Sequence, residues 1–403
     1  MTSLFEREAA ALADDLVALR RSLHASPEVG LHLPVTQAMV LDALGPAGLT
    51  LRTGRNLSSV TGVLTGAAPG PAVLLRGDMD ALPVRERTGL PYAADGESMH
   101  ACGHDLHTAG LVGAARLLAA RRDEIAGSVV FMFQPGEEGY DGAGLMLDEG
   151  VLDATPSPPD AAYALHVVAD LPAGRFYTRP GPVMAAYGVL DVKITGRGGH
   201  GGRPHEALDP IPVAAEAATA LQTYVTRRFD AFEPVVVTVG EFHAGSAPNV
   251  IPEHAVFRAG VRSFSDAVTD RVATELPALV EGIAAAHGAV AEAVFRNVLP
   301  ATLNAPEHAG VFAETVRTLF GDARFEELAN PRIGSEDFSR VLRRVPGAYG
   351  YLGAAPPGGP ERPSGNHSPT AVFDDSVLPD AARLMAALAW HHVGRVGRVE
   401  HTP

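Results

Sequence analysis

At 403 residues, with 46% hydrophobic and 20% charged side chains, the chain has a globular composition and room for two domains and a large core. A formal net charge of −15 argues against nucleic acid and anionic membrane surfaces, which call for clustered Lys and Arg. One cysteine excludes intrachain disulfides. The first ten residues carry acidic groups where a signal peptide has a basic head, and no run approaches the roughly 18 apolar residues of a membrane span. The expectation is a cytoplasmic enzyme.

In chain order, residues 4–23 read as an amphipathic helix, with Leu4, Ala11, Leu12, Leu16, Leu19 and Leu23 at helical spacing. Short apolar runs over 59–64, 72–75, 128–133 and 161–166 then alternate with helical stretches over 108–121 and 142–149. This alternation predicts an α/β fold, a largely parallel mixed sheet covered by helices. Sites in such sheets form at the carboxyl ends of strands. Asp78, Asp80, Glu137, Glu138 and His166 all fall at or just after expected strand ends.

Around Gly181-Pro182 the pattern changes. A strand over 187–195, a Gly-rich loop, a helix over 211–229, strands over 235–242 and 255–261, a helix over 267–287 and a strand over 289–296 follow. The order β-α-β-β-α-β is that of a ferredoxin-like α+β unit. Residues 185–297 are therefore expected as a domain inserted into a discontinuous catalytic domain, 1–184 and 298–403. Residues 353–365, rich in Pro and Gly, are expected as a surface loop.

The chemistry concentrates in Met99-His-Ala-Cys-Gly-His-Asp-Leu-His107, which sets the only cysteine among histidines. A C-x-H spacing in a Gly-containing loop that opens a helix lets Cys102 and His104 converge on a borderline-soft divalent metal. Either residue alone reads better as packing. His100, Asp105 and His107 are candidates for orienting such ligands. Phe131-Met-Phe-Gln-Pro-Gly-Glu-Glu-Gly139 ends an apolar run in paired carboxylates, which repel each other and are costly to desolvate. A metal offsets that cost for one, and the other can act as general base towards metal-activated water. Spacing leaves the division of labour open. Asp78 and Asp80 either point the same way along a continuing strand or cap a turn. His166 and His367 gain interest because a two-metal site needs more ligands than Cys102, His104 and one Glu supply.

Further on, Thr195-Gly-Arg-Gly-Gly-His-Gly-Gly-Arg-Pro-His205 lacks the Lys-Ser/Thr of a phosphate-binding loop. A histidine there can stabilise an oxyanion instead. Ala247-Pro-Asn-Val-Ile-Pro252 and Arg262 can grip a substrate carboxylate, and for Arg262 a solvated strand residue is an equally good reading.

These residues together resemble the aminoacylase and hippurate hydrolase branch of the co-catalytic metallohydrolases, which includes plant hydrolases of indole-acetyl amino acids. The matching stretches begin with Arg20-Arg-Ser-Leu-His-Ala-Ser-Pro-Glu28, Gly77-Asp-Met-Asp-Ala-Leu-Pro83, Met99-His-Ala-Cys-Gly-His-Asp105, Gln134-Pro-Gly-Glu-Glu-Gly139 and Leu165-His166. They continue in family order with Gly198-Gly-His-Gly-Gly-Arg-Pro-His205, Asn249-Val-Ile-Pro252, Gly334-Ser-Glu-Asp-Phe-Ser339 and Asn366-His-Ser-Pro369.

The resemblance implies a metal-bearing α/β domain and a smaller lid domain through which two copies dimerise. It implies two divalent ions per chain, bridged by Cys102 and completed by His104, Glu138, His166 and His367. Thiolate and imidazole suit zinc and carboxylates admit manganese, with cobalt or nickel as further options. Glu137 would be the general base and later proton donor, and Asp80 would orient a ligand. His200 and Asn249 would reach the opposite subunit's site, and Arg262 is a further candidate for substrate binding. Two departures, Leu33 where relatives often have Glu and Ala164 where they often have Gly, lie outside the implied ligand set.

The expected reaction is hydrolysis of the amide in an N-acyl amino acid or similar small amide, with no nucleic acid or membrane partner. The rivals are a dipeptidase or aminopeptidase with the same centre, and a non-catalytic metal-dependent binding protein, against which the retained Glu137 speaks. A zinc deaminase is excluded because it needs more than one cysteine.

Overall fold

The computed structural model describes residues 3–358 and 363–396. The chain divides into two compact units, Met1–Val183 with Leu303–Asn330 and Arg340–Pro403, and Met184–Thr302 with Pro331–Ser339.

The first unit is built on a sheet in the order Thr50–Thr53, Val60–Thr65, Ile125–Gln134, Ala68–Asp78, Ala161–Pro172, Gly347–Ala355, Phe176–Thr178 and Phe325–Glu327. Its four middle strands run parallel; at the margins the pairing is antiparallel except between Phe176–Thr178 and Phe325–Glu327, which is parallel. The sequence explains the layering. Val73, Leu74 and Leu75 are fully buried, as are Val129 to Phe133, so both faces of these strands are covered. Continuous apolar runs of this kind belong to sheets with helices on both sides. The helix His104–Ala119 packs against the strand Ala68–Asp78 and the helices Ala13–His24 and Leu378–His392. Its apolar residues are buried almost all round, as expected of an interior helix.

Parallel pairing brings the chemistry to one edge. Asp78, the last residue of its strand, lies in register with Gln134, the last of the neighbouring strand. The turns after both strands, carrying Asp80 and Glu137-Glu138, therefore leave the sheet side by side. His166 departs from expectation: it lies within the strand Ala161–Pro172, because Val167, Val168 and Ala169 continue the buried run beyond it. The expected loop over 353–365 also needs correction. Gly353–Ala355 close the strand Gly347–Ala355, and residues 359–362 lie outside the described residues.

The second unit has the strands Ala186–Thr195, Val236–Ala244, His254–Ser263 and Val290–Leu299, with the helices Pro210–Arg228 and Asp266–Ala286. Its sheet runs Val236–Ala244, His254–Ser263, Ala186–Thr195, Val290–Leu299, and every neighbouring pair is antiparallel. This is the ferredoxin-like arrangement. Alternation decides which face is covered: Leu190, Val192 and Ile194 are buried with Val213, Leu221, Val272 and Leu276 of the helices. Asp191 points to the other face, where it pairs with Arg258 at 2.8 Å and Arg296 at 2.6 Å. Residues 331–339, which the sequence boundaries left with the first domain, sit in this unit. The Arg262 guanidinium donates to the Ile333 carbonyl at 2.8 Å and the Met184 backbone bridges to Arg332.

Candidate metal centre

The C-x-H turn forms because Gly103 adopts φ +83°, a left-handed conformation that side chains with a Cβ rarely take. A Cβ there would also lie 2.4 Å from Val167 Cγ2. The turn leaves Cys102 at its apex and makes His104 the first residue of the long helix. Across the sheet edge, Gly136 at φ +72° shapes the turn that delivers Glu137 and Glu138, with Leu31 2.5 Å from where its Cβ would be.

Two sets of potential ligand atoms meet at the cysteine. Cys102, His104 and His166 form one group and Cys102, Glu138 and His367 another, the atoms of each lying within 4.8 Å of one another. Cys102 Sγ is 3.4 Å from His166 Nε2, and His367 Nε2 is 3.1 Å from Glu138 Oε1. Glu137 joins His104 and Glu138 in a third group of the same compactness. Sequence reading had named each of these residues separately, and the fold brings them together.

The surroundings set the charge of each. His104 is fully buried and, among the described residues, neither ring nitrogen finds a hydrogen-bond partner, although Asp78 Oδ2 and Asp80 Oδ1 each lie 3.4 Å away. Burial alone would lower its pKa, but Asp78 reverses the sign and holds it well above the usual imidazole value. His166 is pushed well below that value by burial and by neighbouring His107. Its Nδ1 donates to the Val167 carbonyl at 2.7 Å, which leaves Nε2 with its lone pair towards Cys102. His367 is raised to about 10 by its contacts with Cys102 and Glu138. Burial would raise Glu138, but the hydrogen bond from His367 outweighs it and the carboxyl is lowered.

Behind these groups stands a layer of fixed partners. The Asp80 carboxylate accepts the backbone N–H groups of both Glu137 and Glu138, each at 3.0 Å. Asp80 thus takes the turn position, its strand having ended at Asp78. Asp78 receives Arg76 Nη1 at 2.8 Å and His107 Nδ1 at 2.5 Å. The Val167 N–H donates to His107 Nε2 at 2.8 Å, so His107 bridges helix and strand as a neutral imidazole, lowered by burial. Asp105, one residue after His104, pairs with Arg20 at 2.7 Å and His24 at 2.8 Å. His100 is buried without a hydrogen-bond partner among the described residues, and burial lowers it to about 3. Arg20, His24 and Asn366 belonged to recognised motifs, yet nothing in the sequence signalled what they touch.

The remaining candidates belong to the second unit. The short strands Gly199–His200 and Val250–Ile251 pair with His200 opposite Val250, and the Gly201 N–H donates to the Asn249 carbonyl at 2.8 Å. His200 and Asn249 are therefore neighbours, both exposed. Arg262 is elsewhere in that unit, stacked over Tyr187 with its guanidinium 5.0 Å from the ring centroid.

Comparison with known proteins identifies the family. Residues 74–391 match the profile of peptidase family M20/M25/M40. An N-acetyl-L-cysteine deacetylase of Bacillus subtilis is 34% identical over 93% of this chain and 87% of its own length. Thermostable carboxypeptidase 1 of Saccharolobus solfataricus is 35% identical over 94% of this chain and 95% of its own. The crystal structure of Bacillus subtilis YXEP protein, described as a dinuclear metal binding peptidase, superposes with a TM-score of 0.80 at 31% identity, covering 94% of this chain and 98% of that one. The chain belongs to the M20/M25/M40 peptidase family. It is a metal-dependent hydrolase acting on amide bonds.

Proposed function

We propose that the chain hydrolyses the amide bond of N-acyl amino acids or similar small amides, releasing a carboxylate and an amine. One observation carries this reading: two compact ligand groups share a single cysteine, beside a carboxylate that neither of them uses. The donor set fits a pair of divalent ions, since a buried imidazole with no hydrogen-bond partner is costly unless a further ligand engages it. Cys102, His104, Glu138, His166 and His367 would hold the ions, Cys102 being common to both. Zinc or manganese suits these donors best, and cobalt or nickel can substitute. When bound, such ions polarise the scissile carbonyl and acidify a water molecule.

The chain's own residues do the rest. Glu137 takes the proton from the attacking water and returns it to the leaving nitrogen. Asp80 fixes the turn on which that carboxylate is mounted, gripping both N–H groups of the pair. The second unit acts as a lid and dimerisation domain. In the homodimer His200 and Asn249 serve the neighbouring subunit's site, His200 at the carbonyl oxygen, and Arg262 takes part in binding the substrate. The exposure of His200 and Asn249 side by side supports this. The single cysteine favours the cytoplasm, and no helix among the described residues is long and apolar enough to cross a membrane.

The likeness to a carboxypeptidase supports a second reading, cleavage of small peptides at the same centre. Amine release from a panel of N-acyl amino acids and free dipeptides, by protein loaded with zinc, manganese or cobalt, separates the two. Turnover of acylated compounds that is abolished by a chelator supports the first reading. Turnover of free dipeptides alone moves the assignment to the second.

A further inference from the structure

Asn366 precedes His367, and its side chain touches two of the other segments that carry proposed ligands, those of Cys102 and His166. Its Nδ2 donates to the Cys102 carbonyl at 3.2 Å and to the Val167 carbonyl at 3.1 Å, and lies 3.6 Å from Cys102 Sγ. Its Oδ1 accepts the Ala169 N–H at 2.9 Å. The partners decide the orientation of the amide, because only acceptors face the nitrogen and a donor faces the oxygen.

The shared acceptor gives these contacts their chemical meaning. The Val167 carbonyl receives both Asn366 Nδ2 and His166 Nδ1, which uses the two lone pairs a carbonyl offers. Asn366 therefore holds the group that fixes the His166 tautomer and aims its Nε2 at Cys102. The backbone adds a second tie. The His367 N–H donates to the Ala101 carbonyl at 2.8 Å, and His367 itself takes φ +70°, a conformation that non-glycine residues adopt only when their surroundings enforce it. Segments near residues 102, 166 and 367 are remote in sequence, and this one amide spans them.

We propose that Asn366 is a positioning residue of the metal centre, holding the Cys102 sulfur and His166 Nε2 in mutual register and directing an N–H towards the sulfur. This rests on the reading that Cys102 and His166 are ligands. An N–H aimed at a thiolate withdraws electron density from it, so a metal bound there meets a weaker donor. Removing that N–H moves the sulfur-to-metal charge-transfer band of a bound cobalt ion to lower energy.

The test loads metal-free wild type, N366D and N366A with cobalt(II). It measures affinity by chelator competition, the near-ultraviolet thiolate band, and the melting of each metal-free protein. Asp keeps the acceptor for the Ala169 N–H but loses both donors, and Ala removes all contacts, so either variant is decisive if the other fails to fold. The expected result is affinity about 10- to 100-fold weaker, the loss of ligand positioning outweighing the stronger donation of the freed thiolate, with the band shifted to lower energy. Wild-type affinity with an unshifted band in a folded variant overturns the proposal. So does a lower metal-free melting temperature accompanied by normal cobalt binding, which would make Asn366 purely structural. If wild type itself binds cobalt without a thiolate band, the Cys102 assignment falls instead.

Discussion

The guanidinium of Arg20 lies 2.7 Å from the carboxylate of Asp105, and both side chains are completely buried. Tyr92 accepts a hydrogen bond from Arg20 at 2.7 Å, and His24 lies between Asp105 and Glu86. Burial would raise the Asp105 carboxyl, but Arg20 and His24 hold it far below the usual carboxylate range. Its folded pKa being depressed, the stabilisation is complete above the unfolded value near pH 4 and is lost as pH falls below it.

R20M leaves Asp105 buried with His24 as its remaining partner. It should cost about 3–5 kcal/mol, the usual penalty for removing one partner of a buried pair. Denaturant unfolding of the metal-free protein measures this, and the double variant R20M/D105L should recover much of the loss. A single variant as stable as wild type would show that water or another cation compensates Asp105.

E137Q keeps the shape of the proposed base and removes its proton affinity. The expected outcome is full metal content by elemental analysis with turnover reduced about 10²- to 10⁴-fold, the range for a general acid–base group. Undiminished turnover in the metal-replete variant would remove Glu137 from that role.

At Asp80, replacement by Asn trades one of the two oxygens that grip Glu137 and Glu138 for an amide NH₂, which cannot accept an N–H. D80N should lower kcat by about 10- to 100-fold with little change in KM, because the damage is to the mounting of the pair. Steady-state kinetics on metal-replete protein tests this, and a pure KM effect would contradict it.

Metal uptake should depend on pH. Among the proposed ligands, His367 is raised to about 10 in the metal-free protein and is protonated near pH 7, so it must lose a proton to bind, and His104 is shifted in the same direction. Affinity should therefore rise with pH through the neutral range, with protons released on binding. Calorimetry in buffers of differing ionisation enthalpy counts those protons. Uptake without proton release would mean that the imidazoles are already neutral.

Local chemistry made much of this legible in the sequence. Cys102 and His104 are two residues apart, Glu137 and Glu138 adjacent, and the buried strand runs give the α/β alternation directly. What stayed hidden is long-range. Asn366 contacts Cys102 across 264 positions and His24 contacts Asp105 across 81, and no periodicity encodes a pairing of that kind. The strand Ala68–Asp78 begins earlier than its apolar run because Ala68-Pro69-Gly70-Pro71 carries no strand signal of its own. Gly353 reads as a loop residue, yet it lies where a Cβ would come within 2.1 Å of the Pro172 carbonyl, so its absence of side chain serves close strand packing.

The lone cysteine has one more consequence. Because Cys102 is the only thiol in the chain and belongs to both candidate ligand groups, a thiol reagent has a single address, and that address is the vertex of the proposed metal site. One equivalent of label then counts sites, reports whether ions shield the sulfur, and silences both positions at once. Oxidation of that sulfur would do the same, leaving the enzyme no second thiol with which to form a protective intrachain disulfide.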